Sequence, residues 1–418
     1  MKHVTPLALA VTAAIACSSA QAAGFADDAT ASLQLRNFYF NRDFRDPGAQ
    51  SKAEEWAQGF IFKAESGYTP GPLGLGVDVY AGLGIKLDSD DERAGSGLLA
   101  NAYGDEGADS YSEATAAIKA RLSNSVLKVG GLMPKLPIAS SGDSRLLPQS
   151  FSGASLAINE IENLDIQAGQ LREVNYRNSS NREDIRSTVG GASDRFNYLG
   201  GSYAFNSKNT TIGLWRAELQ DVYNQNLVNL IHTQPVGDWK LGVNLAWFDS
   251  GDDGNQPLKI DHQLTSLTLS AATGPHTFRV GYQDSDGDTA FPYLAETDPY
   301  IVNYVQILDF ARADEQSWQA RYDLNFAALG IPGLNAFARY VTGDNFDVGG
   351  VKAPAGVLEL VRLERIAFAR SLALGLAHLH RFELRVVHHP LGIVVQTLDA
   401  YDAHAQLLIR AQRLVKVG

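Results

Sequence analysis

Between Ser32 and Thr342 apolar residues recur at every second position, segment after segment. That period confines the chain to strands with two chemically different faces. In Val77–Asp88, Val77, Val79, Ala81, Leu83, Ile85 and Leu87 point one way, and Asp78, Tyr80, Gly82, Gly84, Lys86 and Asp88 the other. Trp239–Phe248 sets Trp239, Leu241, Val243, Leu245 and Trp247 against Lys240, Gly242, Asn244 and Ala246. Trp318–Phe326 opposes Trp318, Ala320, Tyr322, Leu324 and Phe326 to Gln319, Arg321, Asp323 and Asn325. A helix needs a period near 3.6, so this body of the chain is all-β.

A soluble sandwich also alternates. Segments of about 8–13 residues are close to the roughly 9–11 that cross a bilayer at a tilt. Tyr39, Phe40, Trp56, Tyr68, Trp239, Trp247, Phe248, Trp318 and Phe326 fall at segment ends, where interfacial girdles sit. Inner faces rich in glycine and charge imply a water-filled lumen rather than a packed core. A mean hydropathy of −0.14 does not oppose this, because each strand turns only alternate residues to lipid. The sequence thus predicts a transmembrane antiparallel β-barrel, with about fifteen strands readable by Thr342. Tight turns (Ser123-Asn124, Thr273–Pro275, Gly330–Gly333) alternate with long polar excursions (Asn41–Glu55, Ser89–Ser110, Glu173–Asp194, Gly251–Asp261, Ser285–Asp314). Short turns on one rim and long loops on the other are the outer-membrane arrangement.

Residues 1–22 read as a secretory signal: Lys2, an apolar Leu7–Cys17 and a small-residue site at Ala20-Gln21-Ala22. The only cysteine, Cys17, lies within it, so the mature chain holds neither disulfide nor thiolate. A lipid anchor at Ala14–Cys17 lacks the leucine expected three residues before the cysteine.

One stretch breaks the rhythm. Gly131–Gly153 carries Pro134, Pro137 and Pro148 and has no regular period. The prolines fix φ and remove donors, stiffening a segment that cannot join the sheet. It reads as a loop folded into the barrel to narrow it, with Asp143-Ser144-Arg145 at its tip; a loop standing in external water is the alternative. Opposite the apolar faces, Lys63, Lys86, Lys119, Arg121, Lys128, Arg216, Arg279, Arg321 and Arg339 are assigned to the pore wall. These cations would either pair with inward Asp78, Asp165, Glu218 and Asp323 or act together. Net charge is −12, and acid gathers in the long loops, so base inside and acid outside would draw anions through.

Several segments resemble the OprD-type substrate-specific porins of Pseudomonas and relatives: Gly131–Gly153, Leu35–Arg45, Glu55–Phe60, Gly74–Asp88, and Asn303–Gly333 on to Gly343-Asp344-Asn345. The resemblance spans most of residues 24–350. It implies an 18-stranded monomeric barrel in the outer membrane of a Gram-negative bacterium, its third loop constricting the channel. It implies passive uptake of small carboxylate-bearing solutes such as amino acids or aromatic acids, with no cofactor. Lys63, Lys119, Arg121, Lys128, Arg321 and Arg339 would then form a basic ladder, and Asp143, Ser144 and Arg145 the constriction. Tyr300–Asp309 would form a second inward loop ending at Asp309. Outer-membrane lipids, lipopolysaccharide and the barrel-assembly machinery are the implied partners; nucleic acid is not.

Past Gly350 the character changes. Residues 351–418 contain no Trp or Asn, hold five of the nine histidines and carry +4 against −16 for the remainder. Their repetition of Leu, Ala, Val, Arg and His is helix-like, and the chain does not end in the family's terminal aromatic. The sequence divides into a signal (1–22), a barrel (23–350) and an aberrant tail (351–418). An out-of-frame tail leaves fifteen strands, two open edges and a non-functional truncated porin, because unpaired backbone groups are costly in lipid. A metal site at His378, His380, His388 and His389 and an appended domain are the other readings. An enzyme is the rival class: His232, His262 and His276 sit in no nucleophile motif, though a Ser–His–Asp grouping across strands would make a hydrolase. Asp249–Asp253 and Asp284–Asp288 read as solvated acidic loop tips, or as loose Ca²⁺ sites.

Overall fold

The computed structural model describes residues 24–44, 50–100, 106–254, 259–305, 308–348, 351–365, 382–389 and 392–399. The signal segment therefore lies outside the described residues. Fifteen long strands run from Thr30 to Val348. They are β1 (Thr30–Asp43), β2 (Lys52–Glu65), β3 (Leu73–Asp88), β4 (Ser110–Leu122), β5 (Ser125–Leu132), β6 (Ser150–Ile158), β7 (Leu164–Asn175) and β8 (Phe196–Phe205). The series continues with β9 (Thr210–Leu219), β10 (Tyr223–Val236), β11 (Trp239–Asp252), β12 (Asp261–Thr273), β13 (His276–Gly287), β14 (Gln316–Asn325) and β15 (Leu334–Val348). Each pairs antiparallel with the next.

The sheet does not stop at β15. Val351–Arg365 (β16) pairs with β15, Phe382–His389 (β17) with β16, and Gly392–Asp399 (β18) with β17, and β18 lies beside β1. The helix-like expectation for these segments is thus corrected. They are rich in β-branched residues (Val386-Val387, Ile393-Val394-Val395), which favour a pleated surface, and without β16 the edge of β15 would leave a row of donors and acceptors unpaired.

The outer face is the apolar one. Leu33, Leu35, Ile118, Leu122, Leu199, Leu214, Val280 and Trp318 are all more than half exposed or close to it, a placement that suits lipid. Trp56, Trp239, Trp247 and Trp318 are outward, as girdle residues should be. Phe40 and Phe248 are not: both turn inward and are buried, packing against loops in the lumen.

The inner face also differs from a uniformly wet wall. On the long-loop side, Leu98 and Leu99 from the 89–109 loop and Leu146 and Leu147 from the third loop pack with Phe38, Phe40, Ile61, Tyr80 and Tyr111. A second cluster joins Phe151, Leu171, Phe196, Trp215, Phe248 and Leu264 of the wall to Ile138, Ile185, Phe291 and Leu294 of three loops. Inner-face glycines make room for this packing. A Cβ on Gly84 would lie 2.4 Å from the Tyr111 ring and 3.0 Å from Leu146.

Candidate functional site: the constricted lumen

The third loop lies inside. Between β5 and β6 it spans 133–149, with a two-residue ladder of Lys135–Leu136 on Ala139–Ser140, so it is shorter and more regular than the sequence suggested. Leu146 and Leu147 anchor it to the wall, and Asp143 and Ser144 at its polar tip are exposed. Arg36, inward from the middle of β1, holds that tip: Nη1 donates to Asp143 Oδ1 at 2.7 Å and to the Arg145 carbonyl at 2.6 Å. Arg145 lies 5.0 Å over the Phe40 ring and donates from Nε to the Ser96 carbonyl at 3.3 Å. Burial, with Arg177 close by, lowers its pKa to about 10.

Two further loops meet the tip. Arg177, in the 176–195 loop, donates its backbone N–H and Nε to Glu296 Oε2 at 3.1 and 3.0 Å, and Nη1 to Ser144 Oγ at 2.5 Å. Glu296 belongs to the 288–315 loop, whose Asp298 N–H donates to the Ser140 carbonyl at 2.9 Å. Gln149 Nε2 donates to the Ala295 carbonyl at 2.9 Å. The loops approach so closely at Gly142 that a Cβ there would sit 2.1 Å from the Glu296 carbonyl oxygen. Asp309 is in the same inward loop, where its carboxylate accepts from Tyr293 Oη at 3.1 Å. Three segments remote in sequence thus form one polar collar.

Below the collar, toward the short turns, two cationic groups face the lumen. On β2–β5, Lys119 and Lys128 are directly opposite each other in the ladder. Asp78 bridges them, with Oδ1 2.6 Å from Lys119 Nζ and Oδ2 2.7 Å from Lys128 Nζ. Arg121 stacks at 4.2 Å over the ring of Tyr68, which folds in from the turn after β2. Lys63 is exposed and lines a cavity of about 560 Å³ together with Asp78, Tyr80, Lys128 and Asp143. On β13–β15, Arg279, Arg321 and Arg339 stand in one row across three strands. Asp323 takes both Arg279 and Arg321, the latter through Nη2 at 2.6 Å and Nε at 3.0 Å, and Arg321 lies 4.0 Å over the Phe337 ring.

The structure therefore brings Asp143, Ser144 and Arg145 together and sets Lys63, Lys119, Arg121 and Lys128 on one wall. Arg321 and Arg339 fall on a separate wall. Arg216 and Glu218 are corrected: they share the outward face of β9 with Ile212 and Leu214, while Trp215 and Ala217 turn in. Leu214-Trp215 puts two large apolar residues side by side, so alternation could not fix the phase there.

Residues 23–365 match the outer membrane porin, OprD family. The chain belongs to that family. Porin-like protein GalP of Pseudomonas putida is 42% identical over 352 residues, 82% of this chain and 86% of that one. The crystal structure of Pseudomonas aeruginosa OccK9 (OpdG) superposes with a TM-score of 0.82 at 42% identity, over 90% of this chain and 100% of that one. That of Pseudomonas aeruginosa OpdK with vanillate gives 0.80 at 37%, covering 90% and 97%. OprD-family proteins are outer-membrane channels of Gram-negative bacteria and not enzymes, and this chain is one of them. In keeping with that, the Ser285–His262 contact at 3.3 Å is buried, and the other ring nitrogen of His262 meets the Thr289 carbonyl rather than a carboxylate.

Arg36, Arg177 and Glu296 escaped the sequence reading. Arg36 was within reach, since Leu33 and Leu35 face out and alternation turns it inward. Arg177 and Glu296 lie in loops, where no period reports direction.

Proposed function

We propose that this porin takes up small carboxylate-bearing solutes, amino acids or aromatic and other organic acids, by passive diffusion. The carrying observation is the distribution of inward cations: two basic walls below a collar that itself presents Arg36, Arg145 and Arg177. Cations lining a narrowed path favour anions, and conduction further requires each binding step to be weak enough to reverse. The structure of OpdK with vanillate, an aromatic carboxylate, supports the same class for a relative. Lys63, Lys119, Arg121, Lys128, Arg321 and Arg339 serve as ladder residues in this reading, and Asp143, Ser144, Arg145 and Asp309 belong to the constricting loops. Liposome swelling with a panel of carboxylates, against neutral sugars of equal size, tests it. Equal rates for both groups would remove the anion path.

We take the protein as a monomer whose partners are outer-membrane lipid, lipopolysaccharide and the assembly machinery. We also infer that the reading frame departs from the family near Gly350; the family match itself runs to residue 365. Translation of the other two frames should restore alternating strands ending in Phe or Trp; if neither does, the tail is native to this gene.

A further inference from the structure

We propose that Asp78 and Asp323 are specificity-determining residues, built-in carboxylates that occupy the basic walls until a solute displaces them. The inference rests on the proposed anion path. In both walls cations stand directly opposite across adjacent strands, Lys119 with Lys128, and Arg321 with Arg279 on one side and Arg339 on the other. Like charges so placed repel. In both, one aspartate contacts two of them: Asp78 through one oxygen per lysine at 2.6 and 2.7 Å, Asp323 through Arg279 and a two-point contact with Arg321. The two aspartates are on strands far apart in the barrel, β3 and β14, yet each is near the short-turn end.

A carboxylate in that position does two things. It lowers the net charge of each cluster by one, and it fills donors that a solute carboxylate would use. Asp78 is also part of the cavity wall shared with Lys63 and Lys128, so an arriving solute meets it directly. Solute and aspartate then exchange on the same N–H groups, which keeps capture shallow and release fast. A ladder of bare cations would hold the anion instead.

The test is single-channel recording of the full chain in planar bilayers, with Asp78→Asn, Asp323→Asn and charge-retaining Asp78→Glu. Removing one charge within contact distance of the bound anion should lengthen benzoate blocking events by about tenfold after allowing for screening. Reversal potentials in a KCl gradient should shift toward chloride in both Asn variants, and Asp78→Glu should behave as the parent. Heat-modifiable migration of each variant confirms a folded barrel, and the two walls provide independent trials. Parental block times and reversal potentials in both folded Asn variants would overturn the inference alone. A parent indifferent to benzoate would remove it together with the anion path.

Discussion

The two halves of the lumen are filled differently. On the long-loop side the inner face is packed: leucines of the loops lie in wall notches, and aromatics such as Phe40, Phe248 and Phe291 close against them. On the short-turn side the same inner face holds lysines, arginines and two aspartates. One barrel therefore carries a solid collar above an electrostatic vestibule. Aperture is a matter of van der Waals packing, and preference for charge a matter of ion pairs a few strand residues below.

The contrast can be broken most forcefully from the packed side. Leu146 is fully buried, and Leu146→Ala should weaken docking of the third loop by about 2–5 kcal/mol, as deleted core side chains do. Single-channel conductance should rise and become noisy, with anion preference largely retained because the lower walls are intact. Loss of preference without a change in conductance would mean that the halves are not separable.

A second trial uses pH. Glu315 closes the 288–315 loop, is buried beside Phe310 and accepts from the Arg312 N–H at 3.1 Å. Burial raises its pKa to about 7. An acid whose folded pKa is raised contributes fully below its unfolded value and loses that contribution as pH climbs through the folded one. Loop docking should therefore weaken between pH 4.5 and 7 by on the order of 3 kcal/mol. Current noise recorded at pH 5 and pH 8 reads this. Glu315→Gln should flatten the difference, and an unaltered pH response would place the cause elsewhere.

The smallest effect is expected outside the lumen. Arg216 donates to Asn226 Oδ1 at 2.9 Å on the outer face. Arg216→Ala should leave reversal potential unchanged and stability within about 0.5 kcal/mol, as surface substitutions usually do. A clear loss of anion preference would return Arg216 to the pore wall.

Most of the strand plan was legible because period two is written residue by residue: the alternation of Val77–Asp88 runs to the end of β3, Leu73–Asp88. Inward direction was legible where one face was plainly apolar, hence Lys63, Lys119 and Arg321. It failed at Leu214-Trp215, where both faces are apolar because one meets lipid and the other the loop core. For the same reason inner-face glycines were read as water-lined, whereas Gly84 receives Tyr111 and Leu146. Pairing was legible only in kind, cations with inward aspartates such as Asp78 and Asp323, and not in its geometry. Nothing in one sequence says that Asp78 divides itself between two lysines, or that Arg177 reaches Glu296 across more than a hundred residues.

Gly142 carries a consequence for how such channels diverge. The two constricting loops meet there with the Gly142 backbone against the Glu296 carbonyl, too close for a side chain on residue 142 to absorb a mismatch. Lengthening either loop by a residue would shift the other, so loop lengths at the aperture are inherited as a pair. The wall residues below carry no such constraint, and a single substitution there can retune charge preference while pore size stays fixed.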